Sequence, residues 1–272
     1  RLAVLCQEEP VLLAPFLLEV LRRHSARVVA VIPAGARSGG EPRRGRRAGL
    51  RSLRTWWLIL EPRGFLVAAA LRLRFRLLGR RDPRSIEGAA RRLGIAVHRL
   101  HAPRDLPALL RHLKPDLVLN QSEIRLGAEA LGVPRLGFLN RHASLLPRHR
   151  GRLASFRAHA GEPPEHGVTF HRVTEELDAG PVVLRAPVDD IDPCAPYPRV
   201  AERLMEVAAE RFGEAVERVA AAAGAPEGAA GASEGAAAFP EAAPAGRPAR
   251  FPTLAEARRY RAVLAARQRR GL

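Results

Sequence analysis

Asn140 and His142 stand two positions apart in the stretch GFLNRHASLLPRHRG, residues 137–151. The stretch starts as an apolar run suited to a buried strand, turns polar at Asn140, and continues into a loop bounded by Pro147 and Gly151. Side chains two apart on extended backbone face the same way. An amide and an imidazole can therefore converge there on one small atom. A third polar group, Asp178, lies 36 positions after His142 in a tight polar loop, residues 173–181. An amide, an imidazole and a carboxylate suit transfer of an acyl group through an oxyanionic intermediate. The amide N–H donates to the developing charge. An imidazolium, kept protonated by a nearby carboxylate, adds to that stabilisation. The carboxylate also relays a proton from an attacking amine through a water. This set needs no Ser or Cys nucleophile, so the transfer is expected to be direct.

The surrounding elements must deliver these groups. Apolar runs at 2–6, 28–32, 95–97, 116–119 and 136–139 read as buried strands, continuously apolar rather than alternating. Helical patterns at 10–24, 85–94, 106–113 and 125–132 fall between them. This alternation predicts an α/β chain: a Rossmann-like, mostly parallel twisted sheet with helices on both faces. Ligands in such sheets bind at the carboxyl ends of the strands. After the loop come a helix at 153–160, an alternating strand at 167–171 and a last strand from residue 182. Gln7-Glu8-Glu9-Pro10 stands where a glycine-rich dinucleotide fingerprint would follow the first strand, so NAD is not expected. The expected organisation is a catalytic domain at 1–192 carrying a basic helical insertion at 36–84, then a long amphipathic helix packing on it at 193–223. An Ala/Gly/Pro linker at 224–250 and a basic C-terminal tail helix at 251–272 complete the chain.

The chain of 272 residues has a formal charge of +17, and every basic residue except Lys114 is an arginine, which reads partly as coding bias. The insertion holds 14 arginines against Glu41, Glu61 and Asp82, a surplus of 11 positive charges. Within it, residues 36–54 are Gly- and Arg-rich and read as loop, and residues 64–79 read as a helix with an apolar stripe of Phe65, Leu66, Ala69, Leu73 and Leu77. That helix is too short and too charged to form a transmembrane segment. The preferred reading is a helix that docks on the domain or pairs with a second subunit in a homodimer. Contact with tRNA or nucleotide phosphate, and an anionic membrane surface, are the alternatives. Cys6 and Cys194 lack metal-like spacing and are expected to be free thiols. With no secretory h-region at the start of the sequence, the expected location is cytoplasmic, and no metal is expected. His149, His159 and His166 read as surface or loop residues. Arg148, Arg150 and Arg152 are candidates for phosphate contact.

The order Asn140-x-His142-x-Ser144-Leu145-Leu146-Pro147, then Gly167-Val168-Thr169-x-His171, then Glu176-Leu177-Asp178-x-Gly180-Pro181, resembles the N10-formyltetrahydrofolate-dependent formyltransferase family. The resemblance covers about residues 2–192 and is strongest from 140 to 181. It implies the formyltransferase fold, 10-formyltetrahydrofolate as co-substrate and a primary amine as acceptor. Asn140, His142 and Asp178 would be catalytic, with His171 supporting them on the preceding strand. Thr174, Glu175 and Leu177 fall in the loop whose backbone holds the pterin. Ser144, Arg150 and Gly151 fall in the loop facing the acceptor. The segment Asn120–Arg125 stands where the family usually has a Gly/Ala-rich apolar turn lining the folate, which makes Glu123, Ile124 and Arg125 candidates for cofactor contact. The acceptor expected is an amino sugar or another small amine. Methionyl-tRNA, hydrolysis of the formyl-folate by water, and a degenerate RNA- or membrane-binding module are the alternatives.

Overall fold

The computed structural model describes residues 1–35, 46–224 and 247–271, with backbone only for 46–51. One seven-stranded sheet organises them. Its strands are β1 (Leu2–Cys6), β2 (Val28–Pro33), β3 (Ala96–Val97), β4 (Leu117–Gln121), β5 (Phe138–His142), β6 (Gly167–Arg172) and β7 (Val182–Pro187), in the order β3-β2-β1-β4-β5-β6-β7. β3 to β5 pair in parallel across that order, and β6 and β7 add antiparallel. The chain winds outward from β1 in one direction and from β4 in the other. Their boundary is a switch point of the kind that opens a crevice at the strand ends.

Two apolar layers flank the sheet. Val4, Leu119, Leu139 and Phe170 face a large layer that includes α1 (Ala14–His24), α3 (Ile86–Arg92), α6 (Ala154–His159) and α7 (Tyr197–Gly224). Leu5, Ile32, Val118 and Phe138 face a smaller layer under α4 (Leu106–Leu113) and α5 (Ala128–Leu131). Both faces being covered explains why the strands are apolar throughout. By strand alternation Asn140 and His142 share the α4/α5 side with Phe138, and Arg141 points to the other side, over the Phe16 ring at 5.2 Å.

The insertion departs from expectation. Residues 46–54, read as loop, are helical, and the helix α2 runs Arg46–Leu78 rather than 64–79. It breaks at Glu61 (φ 61°, ψ 164°), because the residue before Pro62 is driven out of the helical region. Residues 36–45 of the expected loop lie outside the described residues. α2 docks on the domain through Ile59, Leu60 and Ala68, all buried. It also packs on the tail helix α8 (Leu254–Arg270), with Trp56 against Phe251 and Arg261 ion-paired to Glu61. A capping box of Thr253 and Glu256 starts α8. Its Arg267 is buried and donates to the carbonyls of His159, Gly161 and Pro193. Most of the expected linker, 225–246, lies outside the described residues. Its end does not hang loose, because Ala249 exchanges backbone hydrogen bonds with Arg150 and Arg152. Among the described residues no helix is long and apolar enough to cross a membrane.

Candidate active site

The β5–β6 ladder sets the site. Asn140 pairs with His171 and His142 with Thr169, so four polar side chains line one patch of one sheet face. Asp178 reaches the same patch from the β6–β7 loop, in a left-handed conformation (φ 51°). The loop closes tightly because Gly180 packs on the Arg172 carbonyl, where a Cβ would overlap backbone. Asp178 Oδ2 accepts the Gly151 N–H at 2.8 Å and lies 3.6 Å from His142 Nδ1. Its Oδ1 lies 3.6 Å from His171 Nε2. Asn140 Nδ2 stands 3.1 Å from His171 Nε2. His142, His171 and Asp178 are all buried.

The hydrogen bonds here have only one possible direction. Arg141 Nε, which can only donate, meets Gln121 Oε1 at 3.0 Å. Gln121 Nε2 must then point the other way, and it donates to the Asn120 and Arg141 carbonyls and to Asn140 Oδ1 at 2.8 Å. The Asn140 NH2 is thereby turned into the crevice. His171 Nδ1 faces the Arg172 carbonyl at 2.9 Å and must carry a proton to do so. In the neutral ring Nε2 is then an acceptor for Asn140. The chain runs from a guanidinium to a carbonyl, neither of which can reverse its role. One N–H of Asn140 remains for a ligand oxygen.

The charge states differ from the expectation of a protonated His142. Burial lowers its pKa below the ordinary histidine range, and the attraction of Asp178 only partly opposes this. His171 is pushed down to about 4, again by burial first. His142 Nε2 lies 3.0 Å from the His149 carbonyl and so keeps its hydrogen, which leaves Nδ1 with a lone pair towards Asp178.

The other sequence candidates divide. Gly151 acts through its N–H on Asp178 and adopts φ +94° with its Cα against Ala249, so no side chain fits. Ser144 is buried and donates to the Arg148 carbonyl at 3.2 Å, bracing the loop rather than facing an acceptor. Arg150 is also buried. Its guanidinium holds the Leu177 carbonyl and Glu176, which ties the 143–151 loop to the Asp178 loop. Arg148 pairs with Glu165 and Arg152 with Glu123, so a carboxylate already stands on each candidate phosphate contact. Ile124 is drawn into the core under α4, and Arg125 is exposed. Thr174, Glu175 and Leu177 are exposed on the loop, and Leu177 is 57% exposed directly before buried Asp178. That bare leucine and the backbone around it suit the face of an apolar heteroaromatic ring. His159 and His166 are not surface residues. They bond to each other at 2.9 Å in the core, and burial pushes His159 down to about 4. Sequence reasoning passed over Gln121 and Arg141. A charged residue between Asn140 and His142 inside a strand was the available signal. Burial holds Arg141 down at about 10, and its Nη1 has no hydrogen-bond partner among the described residues.

With this geometry in hand, residues 84–216 match the family model described as Formyl transferase. The chain is 36% identical over 102 residues to the methionyl-tRNA formyltransferase of Thermotoga maritima, covering 37% of this chain and 32% of that one. It is 46% identical over 88 residues to that of Pseudomonas syringae pv. tomato, covering 32% and 28%. The chain thus spans about a third of the length of the curated relatives it matches. The crystal structure of phosphoribosylglycinamide formyltransferase from Bacillus halodurans superposes with a TM-score of 0.53 at 16% identity, over 83% of this chain and 97% of that one. Glycinamide ribonucleotide transformylase 1 from Symbiobacterium toebii gives 0.52 at 20%, over 79% and 85%. At these identities the likeness shows the fold.

Proposed function

The chain belongs to the formyl transferase family, and from that premise we propose that it moves a formyl group from 10-formyltetrahydrofolate to the nitrogen of a primary amine. The observation that carries the reading is the convergence of the Asn140 amide, the Asp178 carboxylate and neutral His142 on one patch at the end of β5. The folate, when bound, supplies the formyl carbon and a nitrogen that leaves from it. The exposed Leu177 and the backbone of 174–178 would hold its pterin, with Glu123 and Arg125 at the rim. Asn140 donates its remaining N–H to the formyl oxygen as negative charge grows there. Asp178, steadied by the Gly151 N–H, draws the proton from the amine as the new C–N bond forms. His142 Nδ1 takes up that proton, and the carboxylate stabilises the imidazolium as it appears. The proton passes to the departing nitrogen as its bond to the formyl carbon breaks, which returns the site to its starting state.

An amino sugar or comparable small amine is the acceptor in this reading. It is supported by the backbone of Ala249, which bonds along the edge of the 150–152 loop and narrows the approach to Gly151. Identity to methionyl-tRNA formyltransferases favours a second reading, in which the amine is that of an aminoacyl-tRNA. Labelled 10-formyltetrahydrofolate offered to amino-sugar nucleotides, methionyl-tRNA and water separates them by the product that carries label. In the same assay Asp178→Asn, folded by circular dichroism, is expected to abolish transfer. Unchanged turnover would overturn the proposal.

A further inference from the structure

Nine large apolar side chains are exposed among the described residues, and seven of them lie on α2. Beyond the break at Glu61 they are ordered. Leu66 (62% exposed), Leu73 (59%) and Leu77 (77%), with Ala70, fall within about 60° of one another around the helix. They form a stripe pointing away from the body. The opposite side of the helix is fixed to it: Ala68 is buried, and a Cβ on Gly64 would stand 2.8 Å from Pro198 of α7. Arg63 and Arg74 border the stripe on one side and Arg76 on the other, and all three are exposed. Residues 62–81 contain six arginines and no carboxylate. The stripe ends in an open hollow of about 520 Å³ lined by Leu77, Leu78, Arg76, Arg80, Arg81 and Arg91. The carboxylates facing this region are Glu9, which holds Arg72, buried Asp82, which holds Arg74, and buried Glu87, which Arg80 and Arg91 share with Arg99.

We propose that this outward face of α2 docks on an anionic lipid bilayer, with the leucines below the headgroups and a lipid phosphate in the arginine hollow. The charge pattern selects this occupant. A second copy of the chain meeting face to face would oppose the bordering arginines Arg63, Arg74 and Arg76 to one another, with no carboxylate between 62 and 81 to pair them. A nucleic acid would satisfy the arginines and leave the leucines in water. An anionic membrane surface takes both: apolar side chains enter the acyl boundary while arginine stems reach up to the phosphates. The helix lies on the surface and does not span it.

The test is sedimentation of the full chain with phosphatidylcholine vesicles and with vesicles of phosphatidylcholine and phosphatidylglycerol. Binding at least tenfold tighter to the anionic vesicles, weakening with salt, is expected. Replacing Leu66, Leu73 and Leu77 together by Gln keeps every charge and is expected to reduce binding at least tenfold. The thermal unfolding midpoint should stay put, since these side chains face away from the protein. Arg76→Gln and Arg81→Gln should each cost about fivefold. Vesicle binding indifferent to the leucine replacements would overturn the proposal. So would binding of a tRNA pool that those replacements weaken, or a dimer in sedimentation equilibrium that they dissolve.

Discussion

The strand-end site and the outer face of α2 invert each other. Around the end of β5 the Gln121 amide, the His142 and His171 imidazoles, the Asp178 carboxylate and Arg141 Nη1 are taken out of water. On α2 leucines are left in it. Burying polar groups is tolerated where they find partners, and the one-directional chain from Arg141 through Gln121, Asn140 and His171 to the Arg172 carbonyl provides them, Arg141 Nη1 excepted among the described residues. Exposing leucines carries no such demand within the fold. The same arithmetic that makes the site intolerant of change leaves the α2 face free to change without loss of stability. Removal of groups separates the two regions.

The largest expected effect lies in the site. Asn140→Ala should lower kcat for formyl transfer by about 10²–10³-fold, the loss seen when one oxyanion donor is removed, in a steady-state assay of the folded variant. Burial as such is probed by acid. His159 and His171 have folded pKa values pushed down to about 4, below the ordinary 6.5, so the unfolded chain binds more protons between those limits. Stability from these groups is fully present above pH 6.5 and is lost as pH falls towards 4. For His159 alone the loss is on the order of 3 kcal/mol, read from urea unfolding at a series of pH values. His159→Gln should flatten that slope. Comparable in size is Arg267→Met, which strips three carbonyls of their donor and should cost about 2–4 kcal/mol by the same measurement.

Gln121→Met should act more gently, lowering kcat about tenfold, or about 1.4 kcal/mol, with KM little changed, because it frees the Asn140 amide to turn without touching substrate. In an Asn140→Ala background the same substitution should do nothing further. A full second loss there would show that Gln121 acts by some route other than Asn140. Smallest of all, replacing the three outward leucines of α2 should shift stability by less than about 0.5 kcal/mol. A larger loss by denaturant unfolding would mean that the face packs on the protein and would erase the contrast between the regions.

Much of the architecture was legible in the chain. The apolar runs at 2–6, 28–32 and 116–119 announced strands covered on both faces, and the spacing of Asn140 and His142 announced a shared side, because strand alternation is local geometry. The extent of α2 was not legible. Its arginines and glycine resemble loop composition, and it is held as helix by Trp56, Ile59 and Leu60 packing on the body and on a tail helix about 200 residues later. Arg150 looked like a phosphate ligand for a similar reason. Only the fold brings the Leu177 carbonyl and Glu176 up to its guanidinium.

The sequence by itself determined which chemical groups this protein commands, in what order, and on which kind of sheet they would stand. Those follow from side-chain identity, two-residue alternation and motif spacing, all written along the chain. The tertiary structure decided what state those groups are in. Whether His142 carries a proton depends on how completely water is excluded around it. Which way the Asn140 amide faces depends on Gln121, supplied by the adjacent strand β4 and itself oriented by Arg141. That seven apolar residues of α2 meet solvent depends on which side of the helix found the body first. Desolvation and partnership are properties of the packed chain, set by residues far apart in sequence.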